Sequence, residues 1–344
     1  MTETTVLEMV DKASDRIKRL RGRYLDEKPF ISIERAKFYT EKWIATENSK
    51  LSYNVRVALS MKNVFEKMGF NIDPDDRIAG TWTENFLGIP IDIERGLFNR
   101  VFEVELDEKS MKTFAKEGTK NFMSYMIAKY GSKGLLKTLD HSKKIGVVMP
   151  ELGTDTLDIR KINPYQIREK DKELLLKDLL PYWKENTIAN RLGKAFIESN
   201  IYPGEFGDFI TNLPRSTGQS DMVTSIGSAL GVWQGHLILD HEKPILKGLL
   251  AMKNEVQEVI VASKKLAQHE KEFLESINIA LEGVMIYSKR LAEKLEDVLK
   301  NTSDPSTRAV LNQMLQTCQK VPLYPAETFR EAVQSYWIIK TAVE

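Results

Sequence analysis

The spacing of apolar residues predicts a mainly helical chain, with its first helix near the N-terminus. Apolar residues recur there at three- and four-residue steps: Val6, Met9, Val10, Ala13, Ile17 and Leu20. Acidic and basic residues interleave on the other faces, which favours a solvated surface over an RNA- or membrane-binding one. Pro29 ends this helix, and we expect Ser32 to cap the start of the next.

A third helix is predicted from Val55 to Met68, and Gly69 is expected to end it in the left-handed conformation. A turn is predicted over residues 71–77, held by the Asp-Pro-Asp-Asp sequence at 73–76. Residues 78–82 are short and β-prone enough for a strand. Residues 85–104 are punctuated by glycine and proline and are expected to cover a surface or line a cleft.

The remainder of the chain alternates between helical and irregular patterns. Helices are predicted over 111–129 and over 170–193, the latter interrupted near Pro181. Residues 137–164 are irregular. From residue 247 the helical pattern is long, and one stripe predicts a core-facing helix of about six turns or more: Phe273, Ile277, Ala280, Val284, Tyr287, Leu291 and Leu295. After a turn at 301–305, two further helices are predicted at 306–320 and 329–342.

Composition places the chain among ordinary globular proteins. It has 344 residues, of which 42% are hydrophobic and 29% charged, and its net charge is +1. This length corresponds to about two domains or one large one. The balanced charge gives no reason to expect a nucleic-acid partner. The N-terminus lacks a signal-peptide pattern, and no apolar run reaches the ~18 residues of a membrane span, so we expect a cytoplasmic protein without membrane association.

The single cysteine, Cys318, excludes an intramolecular disulfide and a multi-cysteine metal site within this chain. A catalytic nucleophile is one interpretation of Cys318, but a small buried residue on a helix is the favoured one. Dinucleotide-binding, P-loop, zinc-protease and serine-hydrolase motifs are absent from the sequence.

Candidate chemistry is concentrated at the end of a glycine-rich stretch, residues 201–235. There Trp233 and His236 are followed by Asp240 and His241. A neutral imidazole can exchange a proton with a substrate hydroxyl, and Asp240, four residues on, could orient His236 on one helical face. The alternative is a histidine bonded to the backbone at a helix start, with Asp240 as a cap. A metal site is less favoured, because neighbouring residues of a helix point apart.

Four segments, in order along residues 19–337, resemble the glycyl radical enzymes of the pyruvate formate-lyase-like group, and most of all their glycerol/diol dehydratase-like branch. They are the ERA and TE residues of Glu34–Glu41, the RVAL and DDRIAG residues of 56–80, the GHLILDH run beginning at Gly235, and the C-x-x-VP, PA-x-TF and EA-x-Q-x-YW residues of 318–337. His241 departs from the pattern, since tyrosine is frequent there. Residues 85–104 and those preceding Ile201 also depart from the dehydratase branch.

The resemblance implies that residues 1–344 are the helical N-terminal part of a truncated ten-stranded α/β barrel. The thiyl cysteine of a Gly-Cys-x-Glu loop and the radical glycine of an Arg-Val-x-Gly loop lie beyond this region in the family. We therefore expect no catalytic radical residue in the chain and no activity from it alone. The last helix is expected to expose apolar surface at Val333, Tyr336, Trp337 and Val343.

The resemblance also implies chemistry and partners. His236 would bind substrate or handle its proton, with Asp240 supporting it and Trp233 in the same substrate-binding group. A radical S-adenosylmethionine activase would install the glycyl radical in a full-length homodimer that acts on a small molecule in anaerobic cytoplasm, with no directly bound cofactor or metal. Formate acetyltransferase chemistry and a non-catalytic helical scaffold for binding or dimerisation remain alternatives.

Overall fold

The computed structural model describes residues 3–91, 166–183, 239–263 and 265–343, with side chains from residue 15 onward. These residues are predominantly helical, as the apolar spacing predicts. The chain separates into two compact units. One combines Met1–Pro90 with Ile238–Glu344, and the other is Ile91–Leu237.

The first segment of the combined unit carries three helices and two short strands. These are α1 (Glu3–Asp26), β1 (Phe30–Ser32), α2 (Glu34–Ala45), α3 (Tyr53–Lys67) and β2 (Gly88–Pro90). The strands pair in parallel, with Phe30 opposite Gly88 and Ser32 opposite Pro90.

In the other unit, residues 169–183 form one continuous helical run. It consists of α4 (Glu169–Leu174), a π-helical turn (Leu175–Leu179) and α5 (Leu180–Trp183). Pro181 therefore lies within helix rather than at a break, and the irregularity predicted near it is the π-helical turn that precedes it. The predicted segments 111–129 and 137–164 lie outside the described residues.

The second segment of the combined unit contains five helices. They are α6 (Glu242–Lys247), α7 (Leu249–Ala262), α8 (Gln268–Lys300), α9 (Pro305–Lys320) and α10 (Phe329–Val343). Asp304 caps α9 by accepting a hydrogen bond from the Thr307 backbone N–H at 2.8 Å, with Pro305 at the first helical position.

The core forms where α3 packs along α8, with α2 and α9 beside them. Gly283 permits this approach, because a Cβ there would lie only 2.8 Å from Cδ2 of Phe65. The apolar stripe of α8 is most deeply buried in its second half, at Tyr287, Leu291 and Leu295, whereas Phe273 at its start is exposed. Burial of this stripe confirms the core-facing helix predicted from its spacing.

Two local predictions, for Ser32 and Gly69, need correction. Ser32 ends β1, and the N-cap of α2 is Ile33; the Ser32 hydroxyl donates to Glu84 Oε2 at 2.7 Å and accepts a long 3.4 Å hydrogen bond from the Glu34 backbone N–H, which is a part of the capping role predicted for it. Helix α3 ends at Lys67 because Met68 is extended. Gly69 does not take a positive φ there. A Cβ on Gly69 would lie 2.6 Å from Cβ of Glu84, so close packing explains this glycine.

Residues 78–82 are not a strand, although the turn predicted just before them is present, with Asp75 N–H bonded to Asp73 Oδ1 at 2.8 Å. The backbone groups of Ala79 and Gly80 bond instead to side chains of α10. The basic face of α1 is solvated as predicted, with Lys18, Arg19 and Arg21 exposed. Arg19 and Arg23 form ion pairs with Asp75 and Asp73, which tie the helix to that turn.

Candidate functional site

Of the three predicted site residues, the structure describes Asp240; Trp233 and His236 lie outside the described residues. Asp240 is exposed, and its Oδ1 accepts a hydrogen bond from the Lys243 backbone N–H at 3.2 Å. It therefore helps to satisfy the N-terminal turn of α6. No partner is described for its second carboxylate oxygen, so the capping interpretation leaves room for a second interaction.

The segment that follows Asp240 is fixed through its backbone. Ile245 O accepts from Ala326 N–H at 2.9 Å, and Leu249 N–H donates to Pro322 O at 2.8 Å. Between them Gly248 has a φ of +78°, and a Cβ there would lie 2.4 Å from Leu323 O. Only glycine fits this close crossing of two chain segments.

His241, adjacent to Asp240, packs on the last helix. Its ring centroid lies 4.3 Å from that of Tyr336 on α10, with the planes tilted by 42°. The Nδ1 atom of His241 is buried and has no hydrogen-bond partner among the described residues. The contact ties the candidate segment to α10 over a long sequence separation.

Helix α10 is itself held by polar contacts. The amide of Gln334 bonds both backbone groups of Ala79, and Trp337 Nε1 donates to Gly80 O at 2.8 Å. The ring of Trp337 stacks nearly parallel on Trp82, with centroids 6.2 Å apart. These bonds fix the rotation of α10 about its axis and hence the position of Tyr336.

The outer face of α10 is partly apolar, as expected for Tyr336 and Val343. Tyr336 is 40% exposed and Val343 56% exposed, whereas Val333 and Trp337 are half-buried. Phe329, which was not among the predicted residues, is 85% exposed. The stack on Trp82 explains why Trp337 is less accessible than expected.

Cys318 lies buried on α9, and burial raises the pKa of its thiol to about 12. A thiol in this state holds almost no thiolate at neutral pH, which confirms the structural interpretation of this cysteine. Within the described ranges, no three His, Cys, Asp or Glu side chains gather to hold a metal ion. None of the helices described there has the length and apolar run needed to cross a bilayer.

Comparison with known proteins identifies the family of this chain. The profile of the family described as PFL-like, pyruvate formate lyase-like, matches residues 9–344. The chain belongs to this family. The resemblance to glycyl radical enzymes seen in the sequence is thereby confirmed, and a solved glycyl radical enzyme from Archaeoglobus fulgidus matches 96% of the chain with a TM-score of 0.62 and 20% identity.

Among curated relatives, isethionate sulfite-lyase of Oleidesulfovibrio alaskensis is 26% identical over 95% of this chain and 33% of its own length. Trans-4-hydroxy-L-proline dehydratase of Clostridioides difficile is 21% identical over 96% of this chain and 34% of its length. The glycerol dehydratase structure from Clostridium butyricum, at 23% identity, covers 96% of this chain and 34% of that protein, with a TM-score of 0.63. The chain thus spans about a third of the length of these relatives.

The sequence marked His241 as a departure from the family pattern and as one of three possible ligands in a disfavoured metal site. Its contact with Tyr336 and the anchoring role of Gln334 were missed. Both join residues far apart in the chain, so local spacing carries no signal for them.

Proposed function

We propose that this chain forms the N-terminal, substrate-lining portion of a glycyl radical lyase or dehydratase built on a ten-stranded α/β barrel. The observation that carries the proposal is the match to the family over residues 9–344, together with relatives named as a sulfite-lyase and a dehydratase. A small molecule with a leaving group is the substrate class that these relatives suggest.

The radical chemistry belongs to groups outside these 344 residues. A thiyl radical abstracts hydrogen from the substrate and later returns it, after a radical S-adenosylmethionine activase has installed the glycyl radical. The Gly-Cys-x-Glu sequence that this step needs is absent here. We therefore propose that the chain is inactive alone and works within a longer homodimeric enzyme in anaerobic cytoplasm.

Within that enzyme, His236 donates a proton to the departing oxygen or binds the substrate hydroxyl. Elimination of a hydroxyl requires such a donor, because hydroxide is a poor leaving group at neutral pH. Asp240 supports His236, and Trp233 lines the same pocket. In support, the Lys243 N–H holds one carboxylate oxygen of Asp240 and leaves the other to accept a hydrogen bond.

The anchoring of α6 supports this role. Helix α6 and the start of α7 are bonded to residues 322–326, and His241 just before α6 packs on Tyr336, so the chain that leads back to His236 starts from a fixed point. A proton donor must be positioned to within a fraction of an ångström, and rigid elements provide this better than free loops.

The decisive experiment places His236→Gln in the longer enzyme, activated anaerobically. Isethionate, trans-4-hydroxy-L-proline, glycerol and 1,2-propanediol serve as substrates, and pyruvate with coenzyme A tests formate acetyltransferase chemistry. The variant should keep its glycyl radical signal in electron paramagnetic resonance while kcat/KM falls about 10²-fold or more. The matched control His269→Gln changes an exposed histidine at the start of α8 and should leave both readouts unchanged.

Equal turnover of the two variants would contradict the role of His236. A second arm supplies residues 1–344 alone with activase. We expect neither radical signal nor product, and turnover by this chain alone would overturn the proposal of a partial enzyme. DNA that follows codon 344 and encodes neither radical loop would favour the non-catalytic scaffold.

A further inference from the structure

Three helices of the combined unit are tied together by one glutamate. Helices α3 and α8 pack along each other and run in the same direction. Lys62 Nζ on α3 pairs with Glu282 of α8 at 2.8 Å, and farther along both helices Arg290 Nη1 donates to Phe65 O at 2.7 Å. Helix α7 packs on α8 in the opposite direction after a short connection, and its Lys253 pairs with the same Glu282 at 2.7 Å.

These ion pairs show which helix ends lie level with one another. Tyr53 at the start of α3 and Phe273 on α8 each lie nine residues before the ion pair that joins their helices. Ala262, the last residue of α7, lies nine residues after the lysine that binds the same glutamate. Because an α-helix rises about 1.5 Å per residue, all three positions are about 14 Å along their helices from these pairs. The start of α3, the first turns of α8 and the end of α7 therefore meet at one end of the unit.

The end of α2 reaches the same surface. The ring of Tyr53 meets that of Trp43 edge-on, with centroids 5.7 Å apart, and the guanidinium of Arg56 lies 3.9 Å above the Trp43 ring. Six large apolar residues at this end, which we name the apolar end, have 42–73% of their surface exposed: Ile44, Leu51, Tyr53, Val259, Val261 and Phe273. Exposed aromatic and apolar groups beside an arginine are the composition enriched at the centre of protein–protein interfaces.

The area of the apolar end fits an interface between proteins. A buried aromatic side chain covers about 150–250 Å², so the six exposed residues together present on the order of 500 Å² of apolar surface. A patch of this size on a protein surface marks an interaction site. With a polar rim it reaches the ~800 Å² that each partner of a stable complex buries.

The charged rim of the apolar end carries both signs. Glu47 and Lys50 are exposed on the side of α2 and α3. Lys265 and Glu270 are exposed on the side of α7 and α8. A two-fold axis sets a patch against its own copy, so a rim of both signs can pair with itself. A strongly acidic or strongly basic partner would meet like charges on part of this rim, and the pattern therefore favours a second copy of this chain.

We propose that the apolar end is the contact surface of a symmetric homodimer of this chain. Tyr53, Val261 and Phe273 lie at the centre of the contact, where burial of their apolar surface drives association. The charges of the rim fix the orientation of the two copies. The contact uses residues of this chain alone and does not rest on the proposed radical chemistry, and it gives the proposed homodimer a defined interface.

The test is sedimentation velocity of the purified 344-residue chain at concentrations from about 1 to 100 µM. We expect a reversible monomer–dimer equilibrium with a dissociation constant on the order of micromolar. Phe273→Glu should weaken dimerisation about tenfold or more, because it sets a charge into the apolar contact of each copy. Val261→Glu tests the same surface from α7 and should act in the same direction. Both side chains are exposed, so circular dichroism should show both variants folded.

The matched control is Phe329→Glu, which changes another exposed phenylalanine near a helix start, on α10 and outside the apolar end. It should dimerise as the unaltered chain does. Dimers that survive both Phe273→Glu and Val261→Glu, or that are lost only in Phe329→Glu, would overturn the proposal. A chain that stays monomeric at about 100 µM would overturn it as well, and would leave the proposed lyase or dehydratase activity untouched.

Discussion

The side-chain amide of Gln334 forms a complete pair with the backbone of Ala79. Its Oε1 accepts from Ala79 N–H at 2.8 Å, and its Nε2 donates to Ala79 O at 3.0 Å. Both residues are buried, at 1% and 0% exposure. One side chain of α10 thus gives segment 78–82 the two hydrogen bonds that a neighbouring strand would otherwise supply.

Replacing Gln334 with leucine should destabilise the fold strongly. The substitution introduces an apolar side chain of similar size and leaves the buried N–H and C=O of Ala79 without partners. Each such group costs about 1–3 kcal/mol, so the free energy of unfolding should fall by about 2–6 kcal/mol. Urea denaturation followed by circular dichroism measures this change.

The control for this variant is Gln313→Leu on α9, where the side chain is exposed. A change within about 0.5 kcal/mol is expected there. If both leucine variants shifted the urea midpoint equally, the bonds to Ala79 would not be the cause.

Gly248→Ala should be among the most damaging small substitutions in the chain. The residue has a positive φ, and the added Cβ would lie 2.4 Å from Leu323 O and 2.7 Å from Tyr324 Cα. We expect a loss of more than about 1 kcal/mol, because backbone strain adds to the steric clash. Thermal denaturation of the two purified proteins measures it.

Gly22→Ala provides the opposite control. Gly22 lies inside α1, and nothing lies within 4 Å of the Cβ it would gain. Alanine should stabilise the helix there by about 0.5–1 kcal/mol. A Gly248→Ala protein as stable as the Gly22→Ala protein would show that the crossing with residues 323–324 is looser than described.

Asp76 should make the protein less stable as the pH rises. Burial, assisted by the nearby charge of Asp73, raises the pKa of Asp76 to about 6, whereas an unfolded aspartate titrates near ~3.9. The folded state therefore holds the proton more tightly, and stability falls between about pH 4 and pH 6. Asp76→Asn should be about 1 kcal/mol more stable than the unaltered chain at pH 8, after allowance for solvent screening, and equally stable near pH 4.

Its neighbour Asp75 should respond in the opposite direction. The hydrogen bond from Arg19 lowers the pKa of Asp75, so this carboxylate stabilises the fold above the pKa of an unfolded aspartate. That contribution is lost as the pH falls through the lowered folded-state value. Urea unfolding across this pH range should show Asp75→Asn destabilised at pH 8 and recovering relative to the unaltered chain in acid. Parallel profiles for the two variants would refute both assignments.

Cys318 should be almost unreactive in the folded protein. Its thiol is 1% exposed, and burial raises its pKa to about 12. Ellman's reagent at pH 8 should label one thiol rapidly in denaturant but only at the rate of unfolding in buffer. Rapid labelling of the native protein would show that the Cys318 thiol on α9 is more accessible than the structure indicates.

The helices were predictable where their apolar stripes are buried. The stripe that ends in Tyr287, Leu291 and Leu295 predicted α8, because the buried residues of one helix recur at three- and four-residue steps within a single stretch of sequence. Segment 78–82 resembled a strand because its composition suits extended backbone, but the partner that decides its state is Gln334. The contact of His241 with Tyr336 could not be predicted either. It joins the start of α6 to α10, and the apolar spacing within one helix says nothing about which other helix it will contact.

The order of synthesis adds a constraint to the packing of α3 against α8. Helix α3 leaves the ribosome early, but the helix that buries Val64 and Phe65 emerges only after the whole of Ile91–Leu237 has been made. At about 5–20 residues per second, that interval is on the order of ten seconds. During this interval the face of α3 that packs against α8 is exposed to solvent. The nascent chain is therefore most accessible to a chaperone at this stage of synthesis.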